Sequence, residues 1–234
     1  MVFARAPVAG HAKTRLIPAL GPEGAAYFQA ALVSDTLRKV ARLSRRIQPY
    51  LFVAGEDARH GGQVEPNLLK RSVVRAGGRE FKIIHQQGSG LGERLETAFR
   101  VLFRLHPSVV VIGTDSPLLP PFVLGAAVRE LNACESVLGP CPDGGFYLLG
   151  LRRLRGPAGL PGVFRRVRWS SAFAFSDTLR NVLRLGLSCS VLEAYADADL
   201  PADLRRLKAS LEHNERSRRL APATWKFLST NSIT

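Results

Sequence analysis

Short apolar runs alternate along the chain with longer stretches whose apolar residues recur every three to five positions. Tyr50 to Ala54, ending at Gly55, reads as a strand, and so do Phe81 to His85 and Cys189 to Leu192. Val109-Val110-Val111-Ile112 is continuously apolar, the mark of a central strand covered on both faces. Ser136-Val137-Leu138 and Phe146-Tyr147-Leu148-Leu149 are strands flanking a Pro/Gly-rich turn. Val2-Phe3-Ala4 is a very short apolar start. Between these runs lie helical patterns. Gly21-Pro22 opens one carrying Phe28, Leu32, Leu37 and Val40. Leu91, Leu95, Ala98, Phe99 and Leu102 form a single stripe after the break at Gly88-Ser89-Gly90. Leu124, Val128 and Leu131 mark another helix, followed by Ser171 to Leu185 and Leu200 to Leu211. A short helix is also expected over Asn67 to Arg75.

Strand and helix alternate with a mixed portion near the end, which predicts an α/β fold: a three-layer sandwich around a mostly parallel sheet. The expected domain spans residues 1–212. Residues 213–234 are polar, basic and weakly periodic, and read as a basic, frayed C-terminal tail.

Composition changes this picture little, and charge changes it more. In 234 residues, 33 Lys+Arg stand against 19 Asp+Glu, giving +14, which favours polyanionic partners. The arginine pairs are scattered and few aromatics lie among them, so a solvated surface is preferred to a specific nucleic-acid interface. Cys134, Cys141 and Cys189 lack zinc-ligand spacing and point to a reducing, cytoplasmic setting. The longest apolar stretch, Val109 to Val128, contains Asp115 and prolines and is no membrane span.

Chemistry is expected beyond the carboxyl ends of the strands. Pro7-Val8-Ala9-Gly10-His11-Ala12-Lys13-Thr14-Arg15 follows the first strand and presents two cations and a hydroxyl from a flexible loop. That suits phosphate oxygens, although an exposed basic loop reads as well. Gly113-Thr114-Asp115-Ser116-Pro117 places a carboxylate straight after the buried strand, well sited for Mg²⁺ or Mn²⁺; helix capping is the bland rival. Asp143-Gly144-Gly145 is first of all a turn signal, whose glycines would also permit close contact with a sugar or acceptor. Asp199 and Asp203 fit ordinary capping of the last helix, whereas Asp197 has no capping task and is a second candidate metal ligand. Gln87 and Gly92 belong to a glycine-rich entry into a helix, a loop that caps the helix or contacts a nucleotide.

Taken in order, Phe3 to Pro7 running into Gly10 and Lys13 to Leu16, then Leu91 to Arg94, Gly113 to Pro117, Gly139-Pro140 with Asp143 to Tyr147, Trp169-Ser170 and Asp197 to Leu204 form one motif set over residues 1 to 210. This set resembles a bacterial family of largely uncharacterised, glycosyltransferase-like proteins of the GT-A superfamily. That family is similar in turn to the nucleotidyltransferases that guanylylate phospholactate or molybdenum cofactor. The resemblance implies a nucleotide-diphospho-sugar transferase (GT-A, Rossmann-like) fold and a metal-dependent transferase using an activated nucleotide. It implies a nucleotide site of Pro7, Gly10, Lys13, Thr14, Arg15, Gln87, Gly92 and Thr114, with Lys13 and Arg15 on the phosphates. It also implies a metal at Asp115 and Asp197, and an acceptor site at Asp143, Gly144 and Gly145, where Asp143 is a candidate base.

Either a nucleotide-sugar or a nucleoside triphosphate would be the donor and a small molecule the acceptor; a homodimer is left open. Three departures stand out. The first strand has a short apolar lead, as from a misplaced start or a truncation. Asp115 is flanked by Thr114 and Ser116 and not by a second acid, which leans toward nucleotidyltransferase-like metal use or an inactive relative. Leu200 stands where a Thr is frequent and removes a capping hydroxyl.

Overall fold

The computed structural model describes residues 1–54, 80–154 and 162–231. The short helix expected over Asn67 to Arg75 lies outside them. Seven strands and seven α-helices are described: β1 (Val2–Arg5), α1 (Ile17–Ala41), β2 (Tyr50–Ala54), β3 (Lys82–His85), α2 (Leu91–Phe103), β4 (Ser108–Ile112), α3 (Pro121–Ala133), β5 (Ser136–Pro140), β6 (Phe146–Arg152), α4 (Ala174–Arg184), β7 (Cys189–Val191), α5 (Pro201–His213), α6 (Glu215–Leu220) and α7 (Pro222–Thr230). The fold is a mixed, mostly parallel α/β sandwich. Among the described residues no helix is long and apolar enough to cross a membrane. The chain divides into two compact units: Val2–Ile84, Thr114–Pro121 and Asp197–Thr234 form the first, and Met1, His85–Gly113 and Phe122–Ala196 the second.

In the first unit the strands lie in the order β3-β2-β1. β1 runs parallel to β2, with Val2 opposite Leu51 and Arg5 opposite Ala54. A crossover of this kind needs a long connection, and α1 supplies it. That helix begins before its expected start, at Ile17, and kinks at Gly21, whose φ of 69° is left-handed. Its apolar face carries Phe28 and Leu32 into a core with Leu16, Leu204, Leu207, Leu211 and Leu228, against which Trp225 and Phe227 pack.

The expected frayed tail is a correction: Glu215–Leu220 and Pro222–Thr230 fold as α6 and α7. Asn214 caps α6 by accepting from Arg216 N at 2.9 Å and Ser217 N at 3.3 Å. α7 is anchored through Ala221 and Leu228, both fully buried, and through Phe227, whose ring lies 5.7 Å from that of Phe28. Lys226, Ser229 and Thr230 are exposed, but Thr224 is buried with Leu228, so the apolar spacing is broken and the segment reads as a tail.

The second unit orders its strands β4-β6-β5-β7. β6 is antiparallel to both β4 and β5, while β5 and β7 are parallel. The reversal follows from the turn between β5 and β6, closed by Gly144 N to Cys141 O at 3.1 Å and Cys141 N to Gly145 O at 2.9 Å. Gly144 has φ 89° there, and a Cβ on it would come within 2.0 Å of Ala172 O. α2 buries Leu95, Ala98, Phe99 and Leu102 of the expected stripe, while Leu91, at the first position of the helix, is exposed.

Candidate active site

Beyond β1 the chain turns tightly, with Val8 N donating to Ala6 O and Ala12 N to Val8 O, each at 2.9 Å. Gly10 takes φ 80° in this turn. Pro7, Val8 and Ala12 are buried, while Gly10, Thr14 and Arg15 are exposed. Lys13 is left-handed as well, at φ 47° and ψ 45°. That conformation costs a residue with a Cβ about 1–2 kcal/mol. It precedes a short 3-10 turn, Thr14–Leu16, that leads into α1.

The Lys13 side chain is only 6% exposed, and its ammonium is held by two carboxylates. Nζ lies 2.6 Å from Asp115 Oδ1 and 2.6 Å from Asp199 Oδ1, and it donates to Ala198 O at 3.0 Å. The two acids are more open, at 45% and 36%. Burial alone would push the Lys13 ammonium down, but the neighbouring Asp115 and Asp199 outweigh it and hold its pKa above the usual lysine value. Lys13 is therefore a cation at neutral pH, held between two carboxyl groups.

Each partner is positioned by main chain. Ala198 N donates to Asp115 O at 2.9 Å, which brings the segment before α5 alongside the Asp115 segment. Gln29, buried on α1, donates to Arg5 O at 3.2 Å and lies 3.4 Å from Thr114 Oγ1. Thr114 is itself buried. Lys39, also buried on α1, donates to Pro117 O.

The expected capping role of Asp199 is a correction. Asp203 caps α5, its Oδ2 accepting from Leu200 N at 2.8 Å and Asp199 N at 3.1 Å, which frees the Asp199 carboxylate for Lys13. The signal was present in the sequence: an acid three residues inside the helix satisfies the cap by itself. Asp197 is half-buried on the irregular segment before α5. Asp115 does not cap α3, which begins six residues later at Pro121.

The other expected residues belong to the second unit. Asp143 is exposed, and its Oδ1 accepts from Gly145 N at 2.8 Å, the local bond of an Asx turn. Cys141 Sγ and an Asp143 carboxylate oxygen lie within 4.8 Å of each other, a pair of candidate metal-ligand atoms within this unit. The space beside Gly144 is taken by the main chain of Ala172. Gln87 is exposed ahead of α2. Gly92 is buried, and a Cβ there would meet Trp169 Nε1 at 2.4 Å, so close packing by that indole already requires the glycine. Trp169 packs edge-on to Phe146 at 6.1 Å and against Phe164 at 6.3 Å, a core role.

Comparison with known proteins adds to this geometry. A family model described as "Uncharacterized protein conserved in bacteria (DUF2064)" matches residues 36–171, a span that includes Asp115 and Asp143. No curated protein matches. Among solved structures, a candidate nucleotide-diphospho-sugar transferase from Desulfovibrio desulfuricans G20 is 29% identical with a TM-score of 0.83, over 98% of this chain and 93% of that one. The 4-diphosphocytidyl-2C-methyl-D-erythritol synthase of Anaerococcus prevotii DSM 20548 is 10% identical with a TM-score of 0.57, over 90% and 95% of the two chains. The inositol-1-phosphate CTP transferase of T. maritima is 14% identical with a TM-score of 0.53, over 95% of each. The fold is that of the GT-A-like nucleotide-diphospho-sugar transferases and nucleotidyltransferases.

Proposed function

Because the chain belongs to the bacterial DUF2064 family, within the GT-A-like transferase superfamily, we propose that it is a divalent-metal-dependent glycosyltransferase with a nucleotide-sugar donor and a small-molecule acceptor. One observation carries this reading: Asp115 and Asp199 bring carboxylate oxygens to within 2.6 Å of a single cationic centre. Hard oxygens converging on one point suit Mg²⁺ or Mn²⁺. The donor set therefore fits such an ion, with Asp115 and Asp199 as ligands and Asp197, two residues before Asp199, as a further candidate acid.

When bound, the ion would neutralise charge on the departing phosphates. The exposed Arg15 and Thr14 donate to phosphate oxygens from the turn ahead of α1, and Lys13 adds its ammonium. In sugar transfer the acceptor oxygen bonds to the anomeric carbon as the carbon–oxygen bond to the nucleoside diphosphate breaks. Asp143, in the Asp-Gly-Gly turn, is the proposed base for the acceptor proton. A sugar donor is supported by the likeness to the Desulfovibrio protein. Cytoplasmic placement belongs to the same proposal.

A second reading, nucleotidyl transfer, is favoured by the lone acid in Thr114-Asp115-Ser116. There the acceptor oxygen bonds to the α-phosphorus and pyrophosphate leaves. Thermal shift with UDP-sugars, GDP-sugars and NTPs, with and without Mn²⁺, tests both. A Mn²⁺-dependent rise in Tm that disappears in Asp115→Asn is the expected result. Equal shifts in both proteins, or none across the panel, would overturn the site. Release of nucleoside diphosphate or of pyrophosphate then separates the two chemistries.

A further inference from the structure

The oxygens proposed to hold a divalent ion already hold the chain's own cation. Resting on the metal reading above, we propose that Lys13 is a built-in counter-ion. It occupies the ion's place in the free protein and leaves when a phosphate-bearing ligand offers it other oxygens. Metal then enters with the nucleotide and not ahead of it.

Three features of the site support this. The first is shared atoms. Lys13 Nζ lies 2.6 Å from Asp115 Oδ1 and 2.6 Å from Asp199 Oδ1. A Mg²⁺ ion would need about 2.0–2.1 Å to each of its oxygen ligands. An ion bound to those two oxygens would share them with the ammonium a few ångströms away, and the repulsion between the two cations sets them in competition.

The second is access. The ammonium is buried while both acids keep substantial exposure, so the carboxylates can be reached from solvent. The third is a backbone ready to move. Lys13 is held at φ 47° against its own preference, three residues beyond the exposed Gly10, around which a Cβ would meet nothing within 4 Å. Leaving the acids costs Lys13 two ion pairs and the bond to Ala198 O, and a diphosphate supplies several charge-assisted acceptors in exchange. The coupling is reciprocal: whatever factor the nucleotide adds to metal affinity, the metal adds to nucleotide affinity.

The test is a titration with Mn²⁺ alone, followed through the electron paramagnetic resonance signal of the free ion. It uses wild type, Lys13→Met, Lys13→Gln and Asp115→Asn, each checked for folding by circular dichroism. Removing the ammonium should tighten Mn²⁺ binding by about ten-fold or more without nucleotide. UDP or GDP should raise the Mn²⁺ affinity of wild type by a similar factor, beyond the ion's binding to the free nucleotide, and that of the Lys13 variants far less. Equal Mn²⁺ affinity in wild type and Lys13 variants, with loss in Asp115→Asn, would overturn the counter-ion and leave the metal reading standing. No Asp115-dependent binding in any protein would end both. Should the Lys13 variants fail to fold, the wild-type titration with and without nucleotide decides alone, since a nucleotide-independent affinity refutes the coupling.

Discussion

Lys39 donates a hydrogen bond to the carbonyl oxygen of Pro117, two residues beyond Asp115. One turn earlier on α1, Asp35 accepts from Ala223 N at 2.9 Å and from Thr224 N at 2.8 Å, at the start of α7. Two ionisable groups at i and i+4 on one helix therefore anchor the loop that bears the candidate acid and the last helix of the chain. Both are buried, Asp35 fully.

The Lys39 ammonium should make stability depend on pH in the alkaline range. Burial pushes its pKa down to about 8 from the ordinary 10.5, with the Asp35 carboxylate pulling the other way. Between those values the unfolded chain binds more protons than the folded one, so folding gains as pH rises. Relative to Lys39→Met, wild type should gain about 1–3 kcal/mol across that window, read from urea unfolding at several pH values. A flat or falling difference would show that Lys39 is not held as described.

Asp35 offers a sharper stability test. Asp35→Ala leaves a buried N–H and a part-buried one at the start of α7 without acceptors, at a cost of about 2–4 kcal/mol. Asp35→Asn keeps one acceptor oxygen and should cost clearly less. Equal costs for the two variants in chemical denaturation would mean that the side chain fills space there and does not cap.

Local pattern revealed most of the strands and the strongest helices, because each carries its reason within itself. Tyr50 to Ala54 and the run at Val109 to Ile112 needed no distant information. α7 was illegible because the acid that accepts from its first turn lies 188 positions before Ala223, and its apolar residues are too sparse to announce a helix. The same limit applied to the site. Asp115 was readable from its place after an apolar run, and Lys13 from its loop. Asp199 was not, because capping gave it a sufficient local explanation and its partner lies 186 residues earlier.

The turn between β5 and β6 makes a contrast between adjacent glycines. At Gly144 an added Cβ would meet main-chain atoms of Ala172 at 2.0–2.7 Å and would have to adopt φ 89°. At Gly145 it would meet the Asp143 carboxylate oxygen at 3.1 Å, and that side chain can move. Gly144→Ala should therefore destabilise by several times as much as Gly145→Ala, with a cost of about 3 kcal/mol or more, or no soluble protein. Similar melting temperatures for the two variants would contradict the turn geometry.

Asp199 and Asp197 are separated by one residue, yet the site ranks them apart. Asp199 shares Lys13 with Asp115, whereas Asp197 lies two residues earlier on the same irregular segment. Asp199→Asn removes one of the two charges that hold the buried ammonium in place. Two effects should follow together: lower stability, from a buried cation with one full partner, and loss of most Mn²⁺-dependent nucleotide stabilisation. Asp197→Asn leaves both Lys13 ion pairs in place and should reduce the nucleotide effect only in part. Melting curves with and without Mn²⁺ and nucleotide measure both quantities in one experiment. If Asp197→Asn abolishes the metal-dependent shift and Asp199→Asn spares it, the ion is held by Asp197, and the Lys13–Asp199 pair is a structural tie alone.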